Sequence, residues 1–173
     1  SQLLLHTWSL SIEEQFYIFF PVVLILIYQF LKKRRWLIIF LGTFLSLVIC
    51  QIAALKTGGN LNFYFTLSRG WELGLGALTG YYLYYNGQKN LAANQNFYSI
   101  SGLFLILLSI FFFDRRTLHP SLLTLIPTLG TVLIILYANK KSIINKIFSS
   151  YIFVKIGLVS YSFYLWHQPL LAF

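Results

Sequence analysis

Charge is what this sequence has least of. Only 10% of its 173 residues are Asp, Glu, Lys or Arg, against 58% hydrophobic and 19% aromatic residues, where a soluble domain is roughly a quarter charged. Too few polar side chains remain to cover a water-facing surface, which argues against a soluble monomer. A mean hydropathy of +0.72 excludes disorder as well, because such a chain has more than enough apolar surface to collapse. Carboxylates are scarcest of all, 4 Asp+Glu against 13 Lys+Arg for a net +9. The basic residues sit in short clusters between apolar runs and form no stripe interleaved with aromatics, so no nucleic-acid partner is expected. A single cysteine, Cys50, rules out a disulfide framework or a cysteine metal site. His6, His119 and His167 stand on separate segments without H-E-x-x-H spacing, and no metal is expected. No 20–50-residue repeat and no low-complexity tract occurs. No signal peptide precedes Ser1, and a motif begins almost at once, so we expect the chain to start inside a longer protein.

What the sequence has is long apolar runs. Six are long enough to cross a bilayer, about Ile12–Leu31, Trp36–Leu55, Leu67–Tyr85, Phe97–Phe113, Ser121–Tyr137 and Ile156–Phe173, since a crossing takes roughly 20 helical residues. Barrel strands would alternate apolar and polar residues, and these runs are continuous. The reading is all-α, a polytopic transmembrane helix bundle of about six spans. Pro127 lies inside the fifth run and should kink it, and Pro120 stands where a first helical turn accepts proline. With Lys32–Arg35 on the cytoplasmic side, alternate joining segments place nine basic residues inside and three outside, the bias of inner loops. That orientation puts His6–Gln15, Arg69–Glu72 and Asp114–His119 near the outer face. His167 lies about 18 Å along its helix from Lys155, in the outer half.

The rare polar groups are the candidates for chemistry. Ser11-x-x-Glu14 has the form of a capping box, with Trp8 and Tyr17 as interface aromatics. The cap leaves unexplained why Glu13, Glu14 and Gln15 stand together at the mouth of a span, where carboxylates are costly unless paired or wet. One of the two could orient a histidine or take a proton from a sugar hydroxyl. Arg69 and Glu72 are i, i+3 and can pair on one helical face. Arg69 then either snorkels to the interface or contacts an anionic substrate group or a developing oxyanion. Gly70-x-x-x-Gly74 and Gly76-x-x-x-Gly80 read as close helix contacts; no strand and lysine accompany them as a phosphate loop requires. His167 reads either as a packing histidine bonded to a carbonyl or as an acid, base or substrate donor. Arg115 and Arg116 read as a solvated loop.

Taken together, His6-Thr-Trp-Ser-Leu-Ser-Ile-Glu-Glu-Gln-Phe-Tyr17, Phe63-Tyr-Phe with Arg69-Gly-Trp-Glu-Leu-Gly-Leu-Gly-Ala77, His119-Pro with Leu125-Ile-Pro-Thr-Leu-Gly130, and Gly157-Leu-Val-Ser-Tyr-Ser-Phe-Tyr-Leu-Trp-His-Gln-Pro-Leu-Leu171 resemble the signature segments of the acyltransferase 3 family of membrane O-acyltransferases. They follow the family's order over nearly the whole chain. The Arg-x-Trp-Glu-Leu element is most similar to bacterial acetylases of O-antigen and other envelope polysaccharides. The resemblance implies a multi-pass protein of the bacterial inner (cytoplasmic) membrane. It implies transfer of an acyl group, usually acetyl, from cytoplasmic acetyl-CoA to a hydroxyl of an envelope glycan or lipid-linked sugar on the other side, with no bound cofactor. Glu14, the Arg69/Glu72 pair and Trp166-His167 fall on family motif positions. The family's Arg-x-x-Arg element does not occur here, and relatives carry an N-terminal half with further helices and an essential histidine. Residues 1–173 thus resemble the C-terminal part of the domain, inactive alone, its partners being the bilayer, acyl-CoA, the glycan acceptor, that missing half and, in some relatives, a downstream SGNH domain.

On this reading His6, or a histidine of the missing half, is the base; Glu13 or Glu14 orients it or binds sugar; and Arg69, held by Glu72, meets the donor or the oxyanion. Trp8, Tyr17, Trp71, Trp166 and His167 would line the substrate, although interface anchoring explains the tryptophans equally well. A rival class is a transporter or flippase segment with Arg69/Glu72 and His167 along a polar path, and a third is a purely structural membrane subunit.

Overall fold

The computed structural model describes residues 8–30, 34–57, 66–87, 94–114 and 121–172. Every regular element among them is helical: α1 (Trp8–Phe30), α2 (Arg35–Thr57), α3 (Thr66–Asn86), α4 (Gln95–Phe112), a 3-10 turn (Leu122–Thr124), α5 (Leu125–Tyr137), α6 (Ile143–Phe148) and α7 (Tyr151–Ala172). The chain is an all-α bundle, and its six long helices overlie the six apolar runs. Three are both long and apolar enough to cross a membrane, over Glu13–Phe30, Arg35–Lys56 and Gln95–Phe112, and Leu122–Tyr137 forms a shorter apolar stretch. In α3 the apolar run is diluted by Arg69, Glu72 and four glycines.

Several local expectations change. α1 begins at Trp8, so Ser11 falls within the first turn and not at the N-cap, and the capping-box reading does not hold. Pro127 makes no mid-helix kink. Ser121 caps the 3-10 turn by accepting the Leu123 N–H, and α5 then starts at Leu125. Pro127 therefore lies in the first turn of α5, where its missing N–H has no helical partner to lose. The polar segment after α5 holds the extra helix α6, which Ser142 caps through the Asn145 N–H. Pro120 and His119, with Arg115 and Arg116, lie outside the described residues.

Two tight pairs, α2 with α3 and α4 with α5, meet where α3 touches α5; α1 leans on α3 and α2, α6 on α4, and α7 on α6. At the α4–α5 crossing backbone meets backbone. A Cβ built on Gly102 would lie 2.6 Å from the Gly130 carbonyl oxygen, and one on Gly130 equally near that of Gly102. Ser99 and Ser109 are buried on α4 with Gly102, and Ser109 returns its hydroxyl to the Leu105 and Ile106 carbonyls. Such small residues let backbones approach where lipid provides no hydrophobic drive. In α3, Gly70 packs at Ser46 Oγ and Gly74 directly on Thr43 of α2, whereas Gly76 and Gly80 face open space. Only the first of the two small-xxx-small patterns is therefore a helix contact. Accordingly Gly74→Leu should destabilise by about 1–3 kcal/mol through overpacking, while Gly76→Leu should stay within about 0.5 kcal/mol or gain helix propensity. Thermal unfolding of the intact protein in detergent compares the two; equal losses would refute this packing.

Cross-helix bonds show which ends lie level. Tyr28 and Tyr85 join hydroxyls at 3.0 Å, tying the C-terminal ends of α1 and α3. The Tyr98 and Tyr137 rings meet at 4.6 Å, tilted by 30°, where α4 begins and α5 ends, and Asn96 Oδ1 accepts the Ile143 N–H at 3.0 Å. In the second half of α2, Ser46 Oγ donates to the Leu67 carbonyl and Gln51 Oε1 accepts the Leu122 N–H at 3.0 Å. The starts of α1 and α3, the far end of α2 and the start of the 3-10 turn thus share one end of the bundle.

Candidate active site at the acidic end of the bundle

All four carboxylates of the chain are Glu13, Glu14, Glu72 and Asp114, and each belongs to the start of α1, the start of α3 or the end of α4. One of them, Glu72, is seen in an ion pair among the described residues. Arg69 Nη2 donates to Glu72 Oε2 at 3.1 Å, both side chains about three-quarters buried. The i, i+3 spacing sets the two groups one above the other on a single face of α3. Gly70 and Gly74 face α2, so at about 100° per residue Arg69 and Glu72 project roughly a quarter-turn or more away from that contact. Partial burial at a helix end strengthens the pair relative to one in open water, and Glu72 limits the freedom of the guanidinium.

The neighbouring residues anchor this face. Ser68 and Trp71 are fully buried, and Trp71 Nε1 has no hydrogen-bond partner among the described residues. Trp71 is thus enclosed by the protein, and no face of its indole lies open. Glu13, Glu14 and Tyr17 are exposed on α1, Tyr17 by 65%. Gln15 turns to an apolar groove between α1, α2 and α3. Trp8 opens α1 but its side chain, like the whole of His6, lies outside the described residues.

His167 stands on α7, 16 residues and so roughly 24 Å along the helix from Tyr151. Its Nδ1 meets the Tyr164 carbonyl at 2.6 Å, which fixes Nδ1 as the donor in the neutral ring and leaves Nε2 the basic nitrogen. Phe163 stacks on the ring at 6.4 Å, and Trp166 is 63% exposed. The structure joins Arg69 to Glu72 and places both at the same end as Glu13 and Glu14; His167 is bonded within its own helix. Among the described residues no group of three His, Cys, Asp or Glu side chains could hold a metal.

Two residues with structural work were not singled out from the sequence. Gln51 and Asn96 each spend a side-chain amide oxygen on the first N–H groups of another element. A polar amide within or beside an apolar run is the only signal either gives, and it does not say which N–H will be met.

A family model described as an acyltransferase domain, that of the acyltransferase 3 family, matches residues 1–173. Among curated proteins, the provisionally named O-acetyltransferase SACOL0978 of Staphylococcus aureus (strain COL) is 34% identical over 97% of this chain and 30% of its own length. O-acetyltransferase OatA of Staphylococcus aureus (strain NCTC 8325 / PS 47) is 30% identical over 97% of this chain and 29% of its own. The chain therefore spans about 30% of the length of these relatives. No solved structure matches.

Proposed function

The chain belongs to the acyltransferase 3 family, and from that membership we propose that the intact protein transfers an acetyl group from acetyl-CoA to a hydroxyl of a cell-envelope polysaccharide. With its apolar helices the chain is a membrane protein; we take it to cross the bacterial inner membrane several times, with the basic loops inside. The names of the relatives support O-acetyl transfer, and the observation that carries the reading to residues is the Arg69–Glu72 pair at the acidic end of the bundle. In this proposal the acceptor hydroxyl attacks the thioester carbonyl, the oxyanion collapses, the C–S bond breaks, and CoA leaves as a thiol with the proton taken from the hydroxyl. Arg69 faces the carbonyl oxygen where negative charge develops, a role suited to a positioned guanidinium. Glu72 keeps Arg69 in place. Glu13 or Glu14 orients the base, His6 or a histidine of the longer chain, or holds the sugar. The exposed α7, and the face of α1 that carries Ile18, Val22 and Ile25 outside the groove, are where the further helices of the longer chain would pack.

Glu14→Gln and His167→Ala, made in the intact protein and checked for membrane expression, test the outlying residues. We expect Glu14→Gln to lower acetyl-CoA-dependent O-acetylation of envelope polysaccharide about 10²-fold or more, the scale of general acid–base assistance. His167→Ala should lower it less than Arg69→Ala, because His167 is bonded within α7. Mass spectrometry of the glycan and assay of free CoA thiol read the result. Wild-type membranes that move a polar precursor without releasing CoA thiol would point to a transporter and end the acyltransferase reading.

A further inference from the structure

The opposite end of the bundle carries a second constellation, which acetyl transfer does not use. Arg35, the first residue of α2, lays its guanidinium 3.8 Å from the centroid of the Tyr28 ring. Tyr28 bonds Tyr85 hydroxyl to hydroxyl at 3.0 Å, and the Tyr81 ring lies 4.6 Å from that of Tyr85. Arg34 is exposed next to it. No carboxylate of the chain is near: Glu13 is 15 residues up α1 from Tyr28, roughly 22 Å away along the helix, and Glu14, Glu72 and Asp114 share Glu13's end. Arg35 Nε is buried with no hydrogen-bond partner among the described residues. A guanidinium partly withdrawn from water, with a donor unsatisfied and no internal counter-charge, calls for an anion from outside.

Directly below this cluster opens the apolar groove between α1 and α2, which reaches α3. Its volume is about 430 Å³, within the roughly 300–1,000 Å³ of ligand-sized pockets. Phe20, Val23, Ile27, Ile38, Ile39 and Gly42 line the part next to the cluster. Ile27 adjoins Tyr28 in the chain, and Ile38 is one turn beyond Arg35. Gly42 lies seven residues from Arg35, roughly 10 Å deeper, and a Cβ there would touch nothing within 4 Å.

We propose that Arg35, with Tyr28 and Tyr85, binds the phosphate headgroup of an anionic phospholipid, one acyl chain of which lies in the α1–α2 groove. The planar guanidinium offers paired N–H donors to phosphate oxygens, the Tyr28 ring holds its plane, and the bonded phenol pair, one O–H of which is spent on its partner, supplies one further O–H donor. Head and slot follow one another in the order a lipid needs, charge at the interface and hydrocarbon below. The net charge of +9, with its negative members gathered at the far end, selects an anionic headgroup over a zwitterionic one. The apolar lining favours a lipid over a soluble phosphate compound.

The intact protein, reconstituted in nanodiscs of phosphatidylcholine with and without phosphatidylglycerol, is released and examined by native mass spectrometry for retained lipid. Wild type should keep phosphatidylglycerol in preference to phosphatidylcholine. Arg35→Gln and the double variant Tyr28→Phe/Tyr85→Phe should each lower that retention about five- to tenfold. Gly42→Phe, which fills the slot and leaves the cluster intact, should lower it as well, while Gly76→Phe on an open face should not. Should a variant on α2 fail to purify as a folded species, the Tyr28→Phe/Tyr85→Phe pair, on α1 and α3, takes its place, and wild-type retention there overturns the proposal equally. Retention equal to wild type in both Arg35→Gln and Gly42→Phe would overturn the proposal. So would displacement of the lipid by millimolar inorganic phosphate or CoA with Gly42→Phe behaving as wild type, since that marks a soluble phosphate site.

Discussion

Replacing Arg69 by alanine in the intact protein is expected to lower O-acetyl transfer about 10²–10³-fold, the usual loss when one oxyanion donor is removed, with the protein still reaching the membrane. The ion pair is the reason to expect a kinetic effect in place of a folding one. Arg69 is about a quarter exposed and pairs with Glu72 one turn along its own helix. If the guanidinium meets charge that exists only in the transition state, kcat falls and KM for acetyl-CoA changes little. If it binds the donor uniformly, KM rises instead. Arg69→Lys should recover only part of the rate, because an ammonium keeps the charge but loses the planar fork that Glu72 holds. Glu72→Gln should act through Arg69: a smaller loss than Arg69→Ala, and no additional loss when the two are combined. Wild-type turnover in Arg69→Ala would mean that the side chain merely snorkels at the helix end, and the proposed role would be lost.

Gly102→Leu should be the most damaging substitution to stability. The neighbour it meets is not a side chain that can rotate away but the Gly130 carbonyl oxygen, 2.6 Å from the new Cβ, with Leu133 and Ile134 also within 3.1 Å. The α4–α5 pair must separate to admit it, at a cost of about 3 kcal/mol or more. The buried Ser99 and Ser109 on the same face would lose their close packing as the helices part. Gly130→Leu should behave alike, because the approach is mutual, and the two losses should not add. Thermal unfolding in detergent, with the yield of monodisperse protein, measures the effect. A Gly102→Leu protein as stable as wild type would show that these helices do not cross at this point.

The helices were legible because the signal is coarse: runs of about twenty apolar residues with most of the charge between them become helices wherever backbone N–H and C=O groups must satisfy one another. The Arg69–Glu72 pair was legible for a local reason, since i, i+3 spacing fixes the meeting whatever surrounds it. The segregation of carboxylates to one end followed from alternating loops, again without any contact being known. What failed were inferences about the faces and limits of these helices. Gly76 and Gly80 have the same spacing as Gly70 and Gly74, yet only the latter two meet α2; Gly102 and Gly130 carry no repeat at all and bring backbone against backbone. Ser11 looked like a cap only until α1 proved to begin one turn earlier.

The sequence by itself determined that this chain is helical, where its long helices run, which way its charges divide and to which family it belongs. The tertiary structure decided that Trp71 is fully buried, that Gln51 and Asn96 cap other elements, that α7 rests on α6, and that Arg35 and two tyrosines from α1 and α3 come together over an apolar slot. The division has one cause: helices that are apolar nearly all round have no single face written into their pattern, so only packing selects which side of each one meets a neighbour.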